Sequence, residues 1–444
     1  MTQEEKQVMM VESSIPGLIG KMAFPTIISM LVTSFYNMAD TFFVGKIESN
    51  SATAAVGVVF PLMAIIQAVG FFFGHGSGNA ISRRLGCKNT EAAEQLSSCG
   101  FYLALFSGCL IFVFGLLFLE PLAYLLGSTD TILPYSKSYL GIILIGAPFM
   151  TASLVLNNQM RFQGNAFYSM IGITTGAVLN VILDPILIFI FDMGVAGAAA
   201  ATIISQFISF ILLLIGIKKA NCVPIKIKNI VYLPNQIGEI FRGGFPSLCR
   251  QGLASMATVF LNHAAGPYGD AAIAAMTIVT KITGFANSAI IGFGQGFQPV
   301  CGFNYGAGRK DRVSEAFWFC VKISSVVLVG LCVLGIFFSG ELIGLFRKDD
   351  IDVIEIGTRA LRYQCLTLPL SGWIILNNMM FQTCRKTVPA SVLASARQGL
   401  FFIPCVLIFP LFWNLTGVEI SQSIADIMAF VLAVILNVKL MKKI

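Results

Sequence analysis

Asp184 stands in the run LNVILDPILIF (179–189), four residues after Asn180 and one before Pro185. The rest of that run suits a helix in oil, and Asp40 is set in the same way within NMADTFFVG (37–45). A spacing of four puts Asn180 and Asp184 on one helical face. Two acids near each other in a poorly hydrated place have a restricted chemistry. Mutual repulsion and desolvation favour uptake of a proton. The same oxygens, joined by Asn180 and the hydroxyl of Thr202, suit a small hard cation such as Na+. Pro185 removes a backbone donor beside Asp184 and gives the helix a place to bend.

Such residues need a frame that holds them at depth in lipid. Of 444 residues, 56% are hydrophobic and 11% charged, whereas soluble domains carry about 25% charged residues. A chain this apolar cannot hide its side chains in its own core, so the lipid bilayer is its solvent. Twelve apolar runs lie between one near 22–44 and one near 420–440, each close to the roughly 20 residues a spanning helix needs. Alternating strands of a barrel would not give runs this apolar, so the spans are helices. The loops between them are short and hold no soluble domain. The polar, acidic start MTQEEKQVMMVESS is not a cleavable signal peptide. HExxH, GxSxG and GxxxxGK[ST] are all missing, so neither an enzyme nor direct use of ATP is expected.

The net charge of +7 follows from topology and points to no nucleic-acid partner. With the N-terminus in the cytoplasm, nineteen Lys and Arg fall inside and six outside, namely Lys46, Lys137, Arg347, Lys348, Arg359 and Arg362. This bias predicts a multi-pass protein of the plasma membrane with both termini cytoplasmic. The eleven cysteines show no CxxC pair and read as apolar filler.

The chain repeats itself at an offset of 220: Gly74, Gly76 and Gly86 match Gly294, Gly296 and Gly306, and LNNQM (156–160) matches LNNMM (376–380). The expected fold is therefore all-α and polytopic. Twelve transmembrane helices form two parallel six-helix repeats, 1–217 and 237–444, joined by a cytoplasmic loop at 218–236. Parallel repeats place substrate between them and rock against each other. The glycine runs GHGSGNA (74–80) and GFGQGF (292–297) are read as close helix packing.

Depth, at about 1.5 Å per residue, groups six residues of the first repeat. Tyr36, Asp40, Tyr139, Asn180, Asp184 and Thr202 all fall in the outer half, where they can form one pocket for a coupling proton or Na+. At the 220 offset Asp184 corresponds to Pro404 and Asn180 to Leu400, and Asp40 has no acidic counterpart. The second repeat is thus expected to lack intramembrane acids. No Lys or Arg falls inside the first repeat's spans to neutralise the pair, and an unpaired intramembrane acid marks function by default. In the second repeat, Arg250, Lys281 and Arg397 fall near mid-depth, with Gln251 and Gln398 adjacent. They either contact substrate or lock the bundle. Together with Asn157 and Asn377 they are the candidate substrate-cavity residues. His75 and His263, near span ends, are read as packed or interfacial.

NMADTFFVG (37–45), LNVILDPILIF (179–189) and GQGFQPVCGFNYGAG (294–308) resemble the hallmark segments of the multidrug and toxic compound extrusion (MATE) family, in its prokaryotic branch. The likeness covers essentially the whole chain. It implies two lobes around a V-shaped cavity and antiport of organic, mostly cationic or amphipathic, compounds against H+ or Na+. No further cofactor and a monomer are expected. The resemblance assigns the coupling site to Asp40, Asn180, Asp184 and Thr202, with Tyr36 and Tyr139 beside them. Acids of a second-lobe cation site, present in some members, have no match here, and the bases there put a purely cationic substrate range in doubt. A flippase of lipid-linked precursors is the alternative, disfavoured by twelve spans and by the Asn180/Asp184 pair; a channel or receptor is more remote.

Overall fold

A computed structural model describes residues 2–47, 50–346 and 350–441. Arg347, Lys348, Lys442 and Lys443, counted in the charge bias, lie outside the described residues. Helix dominates, and no strand occurs among the described residues.

A short helix α1 (Gln3–Glu12) precedes the first lobe. That lobe comprises α2 (Ile15–Val44), α3 (Asn50–Gly86), α4 (Thr90–Leu117), the short α5 (Leu119–Leu125), α6 (Leu133–Phe162), α7 (Ala166–Pro185) and α8 (Gly194–Lys219). The second lobe comprises α9 (Leu233–Ala265), α10 (Asp270–Gly306), α11 (Lys310–Phe337), the short α12 (Ser339–Gly344), α13 (Ile351–Thr383), α14 (Thr387–Ser395), α15 (Phe402–Ile408) and α16 (Pro410–Met441). With α14 and α15 taken as one interrupted span, all twelve expected runs are helical. Among the described residues, ten helices are long and apolar enough to cross a membrane. The other two, α9 and α13, carry Glu239, Arg242 and Arg250, and Arg359 and Arg362, respectively.

The repeat is visible in the packing. In the first lobe α6 is the central helix and packs on α3, α4 and α8; its counterpart α13 packs on α10, α11 and α16. Each lobe also widens its fifth span into a π turn, Ile186–Ile190 in one and Ala396–Phe401 in the other. The first follows Pro185, whose missing N–H leaves a carbonyl one turn earlier without its helical donor.

The lobes meet where the basic loops are. There α3 packs on α9 and α10, and α2 packs on α10. The repeated glycines make the approach possible: a Cβ at Gly76 would run into the carbonyl of Ile240, and one at Gly306 into that of Arg83. Polar bonds then tie the lobes. Arg83 and Arg84 both pair with Glu239 at 2.9 Å. Arg83 also donates to the Thr383 carbonyl at 2.8 Å, and the Thr383 hydroxyl donates to Asn79 at 2.7 Å. His75 is buried and its Nδ1 meets the Ser247 hydroxyl at 2.9 Å, so it packs between lobes as expected. Polar contacts between α2 and α10 run from this end as far as the Ser34–Ser288 hydroxyl pair, 2.7 Å apart, about two-thirds along α2 and midway along α10. The molecule is thus closed at its basic end.

Candidate functional site

The six outer-half residues of the first lobe converge, although they come from four helices. Asn180, Asp184 and Thr202 are buried, and Tyr139 is completely so. The Asn180 amide is best satisfied with its NH2 donating to Asp184 Oδ2 at 3.1 Å and its oxygen accepting from the Thr202 backbone N–H at 3.2 Å. The carboxyls of Asp40 and Asp184 lie close to each other, and the Tyr36 hydroxyl lies close to Thr202. Tyr139 packs beside this cluster, and its hydroxyl donates to the thioether of Met63 at 3.8 Å. One oxygen of Asp40 is buried with no hydrogen-bond partner.

Neither acid forms a salt bridge among the described residues; the first-lobe carboxylates that do, Glu94 and Glu120, lie near the starts of α4 and α5. Two carboxyls this close cannot both stay bare anions in a dry place; they share a proton or hold a cation between them. The arrangement offers acid oxygens, an amide and a hydroxyl, which serves either occupant.

The site opens onto a cavity of about 1000 Å³ lined by Tyr36, Asn180 and Thr202 at one end and by Arg161 and Gln295 at the other. Asn157 also lines it and donates to the Ser169 hydroxyl at 2.6 Å. Arg161 differs from the expectation that no base lies inside the first lobe. It is buried in the last turn of α6, donates to Asn158 at 2.7 Å and reaches across to Gln295 of the second lobe. The helix simply runs past the apolar stretch, carrying its terminal arginine inward. Arg161 sits at the closed end and makes no bond to Asp40 or Asp184.

The second lobe also differs from expectation: it does carry intramembrane acids. Asp426 and Glu419, both buried in α16, are ion-paired, Asp426 with Arg397 at 2.8 Å and Glu419 with Arg359 at 2.8 Å. Arg359 is therefore a helix residue of α13, not a loop base. These acids escape a comparison that starts from the first lobe's acids, because their counterparts at the 220 offset are Gln206 and Ala199. Arg397 projects from the π turn into a second cavity of about 790 Å³, shared with Gln398, Gln422, Asp426 and Asn287. Gln422, the counterpart of Thr202, donates to Asp426 at 2.9 Å.

Four of the seven expected substrate-cavity residues line neither cavity. Asn377 is buried and spent on packing, donating to the Trp373 carbonyl at 2.9 Å and accepting from Asn437 at 2.5 Å. Arg250 and Gln251 are half-buried on α9, Arg250 near Arg161 and His75. Lys281 is exposed on α10 with no ion pair among the described residues. Depth alone brought these side chains together on paper, but helix rotation separates them.

The described geometry has close relatives. The family model MatE matches twice, over residues 25–186 and 246–408. Multidrug export protein MepA of Staphylococcus aureus (strain MSSA476) is 30% identical over 406 residues, 91% of this chain and 89% of MepA. A crystal structure of MATE in complex with MaL6 superposes with a TM-score of 0.92 at 25% identity, covering 98% of this chain and 99% of that one. An outward-facing conformation of a multidrug resistance MATE family transporter of the MOP superfamily matches with a TM-score of 0.91 at 25% identity, covering 98% of both chains.

Proposed function

This chain belongs to the MatE family, and from that premise we propose that it is a secondary active multidrug antiporter. It expels organic, mostly cationic or amphipathic, compounds in exchange for an external cation, H+ or Na+. It lies in the plasma membrane as a monomer, with both termini and the basic loops cytoplasmic, as the charge bias requires. Its two units are 1–217 and 237–444, joined by the loop at 218–236.

The observation that carries this is the Asp40–Asp184 pair, two facing carboxyls with no basic partner beside a cavity. Given the orientation above, closure at the basic end makes this the outward-open state. The pair then faces the side from which an external cation arrives. Loading it removes the repulsion between α2 and α7, and the π turn after Pro185 gives α7 room to adjust. The lobes then rock, the Arg83/Arg84–Glu239 latch opens, and the cation leaves inward while substrate enters. A cation moves such an equilibrium only by binding its two states unequally, and substrate must disfavour cation by the same factor.

Efflux of a cationic dye from proteoliposomes, under Na+ and pH gradients imposed one at a time, tests this. Uphill efflux driven by one gradient is expected and names the ion. Downhill dye movement indifferent to both gradients would make the protein a channel. Movement of lipid-linked precursors without dye would make it a flippase.

A further inference from the structure

On the basic side of the first lobe, three lysines share one open pocket of about 680 Å³. Lys6 comes from α1, Lys21 from the second turn of α2 and Lys219 from the end of α8. Asn165, Phe167 and Tyr168 complete the wall where α7 begins. No Asp or Glu among the described residues lines it.

The lysines differ in what they already bind. Lys6 is buried and donates to the carbonyls of Ala220 and Asn221, at 2.5 and 3.0 Å. Burial lowers its affinity for the proton that charges it, since no carboxylate offsets the lost hydration. Lys21 is exposed, and its ammonium finds only the Met9 thioether at 3.3 Å, a poor acceptor. Lys219 is exposed and has no hydrogen bond or ion pair among the described residues. Three like charges in one concavity repel one another unless an anion sits among them. Lys21 and Lys219 between them hold unused donors aimed at such an ion.

We propose that this pocket binds the phosphate of an anionic lipid headgroup. A phosphate accepts charge-assisted bonds from several ammoniums at once. Phe167 is 57% exposed and Tyr168 37% exposed on the same wall, an aromatic lip of the kind that sits at headgroup level. An apolar ring at the rim suits a ligand with acyl chains rather than a free phosphate. The anionic cytoplasmic leaflet is also where the proposed orientation puts the pocket. That orientation is the only part of the proposed function used here, so lipid binding and drug efflux fail independently.

A headgroup here would also bear on α1. This helix spans the closed seam: Lys6 ties it to the end of α8, while Asn304 and Arg312 of the second lobe donate to the Met10 and Ser13 carbonyls at 3.0 and 2.5 Å. Anion binding at Lys6 would strengthen the first-lobe anchor of that strap.

The test uses the full purified chain in detergent and native mass spectrometry, titrating dioctanoyl phosphatidylglycerol, dioctanoyl phosphatidylcholine and inorganic phosphate separately. The parent chain should bind phosphatidylglycerol in preference to phosphatidylcholine. The double variant Lys21→Gln/Lys219→Gln should lose at least about tenfold in that affinity. Its melting temperature should not change, since both side chains are exposed. Lys21→Arg/Lys219→Arg should retain binding. Inorganic phosphate that displaces the lipid at equal concentration would support the anion site and assign it to free phosphate. Equal binding of both lipids, or phosphatidylglycerol affinity unchanged in the glutamine variant, would overturn the proposal.

Discussion

The two lobes bury acid in opposite ways. In the first, Asp40 and Asp184 face each other and no base among the described residues pairs with them. In the second, Asp426 is gripped by Arg397 at 2.8 and 3.2 Å and Glu419 by Arg359 at 2.8 Å. A carboxylate sealed by a guanidinium already has its cation, covalently attached and unable to leave. A carboxylate pair without one has to take its cation from outside. The repeat has thus diverged into one lobe suited to exchange and one whose charge is internally neutralised, and the swap is local. Where the first lobe has Thr202 and Gln206, the second has Gln422 and Asp426 on the same face of the matching helix.

The largest effect should come from removing the unpaired acids. Asp184→Asn and Asp40→Asn should each cut gradient-driven efflux by about a hundredfold or more, because a carboxamide keeps the size but holds neither proton nor charge; losing an unpaired intramembrane acid, worth about 2.5–3.5 kcal/mol at mid-membrane, should not lower the yield of folded protein. Dye efflux alongside a melting curve checks both halves. Wild-type efflux in both variants would erase the contrast between lobes, and unfolding would make the acids structural.

Arg397→Ala should act on stability instead. It strands Asp426 in a buried place and should cost about 3–5 kcal/mol. Adding Asp426→Asn should recover most of the loss, and the double variant should keep its ion dependence. Thermal unfolding of the single and double variants measures the recovery.

Closure at the basic end gives a third, smaller effect. Glu239→Gln leaves Arg83 and Arg84 without their counter-charge across the seam, a loss of about 1–3 kcal/mol to the closed arrangement. The equilibrium should shift toward opening on that side. Cys87, exposed beside the seam, reports it: maleimide labelling in inverted vesicles should speed up, while impermeant maleimide added to intact cells should leave Cys87 untouched. Labelling from outside would reverse the orientation.

Asn180→Ala should have the smallest effect, about tenfold weaker cation binding. It deletes one neutral ligand and frees Asp184 Oδ2 from a 3.1 Å bond, without changing the charge. The shift of the half-maximal cation concentration for dye efflux measures it.

Much of this was legible in the chain. Apolar runs gave the spans and their order, since lipid leaves a backbone few choices. The 220 offset gave two lobes, and the repeated glycines Gly76/Gly296 and Gly86/Gly306 do lie where helices touch. Asp40, Asn180, Asp184 and Thr202 could be grouped by depth because spans 1, 5 and 6 were well bounded. Helix rotation was not legible. Asn377 turns into the core and Asn157 toward the cavity, though they occupy the same place in the repeat. The second lobe's acids were readable in principle: Asp426 lies inside an apolar run, one turn after Gln422. That Arg397 pairs with Asp426, 29 residues away, needed the fold.

The most direct test is equilibrium binding of a fluorescent cationic substrate to purified protein, across pH and Na+ concentration. It should be run on the parent chain, on Asp184→Asn and on Arg397→Gln/Asp426→Asn. Substrate affinity in the parent should fall as the coupling cation rises. Asp184→Asn should abolish that dependence, and the second-lobe double variant should preserve it. A dependence that survives in Asp184→Asn and vanishes with the Arg397–Asp426 pair would place exchange in the other lobe and contradict the account.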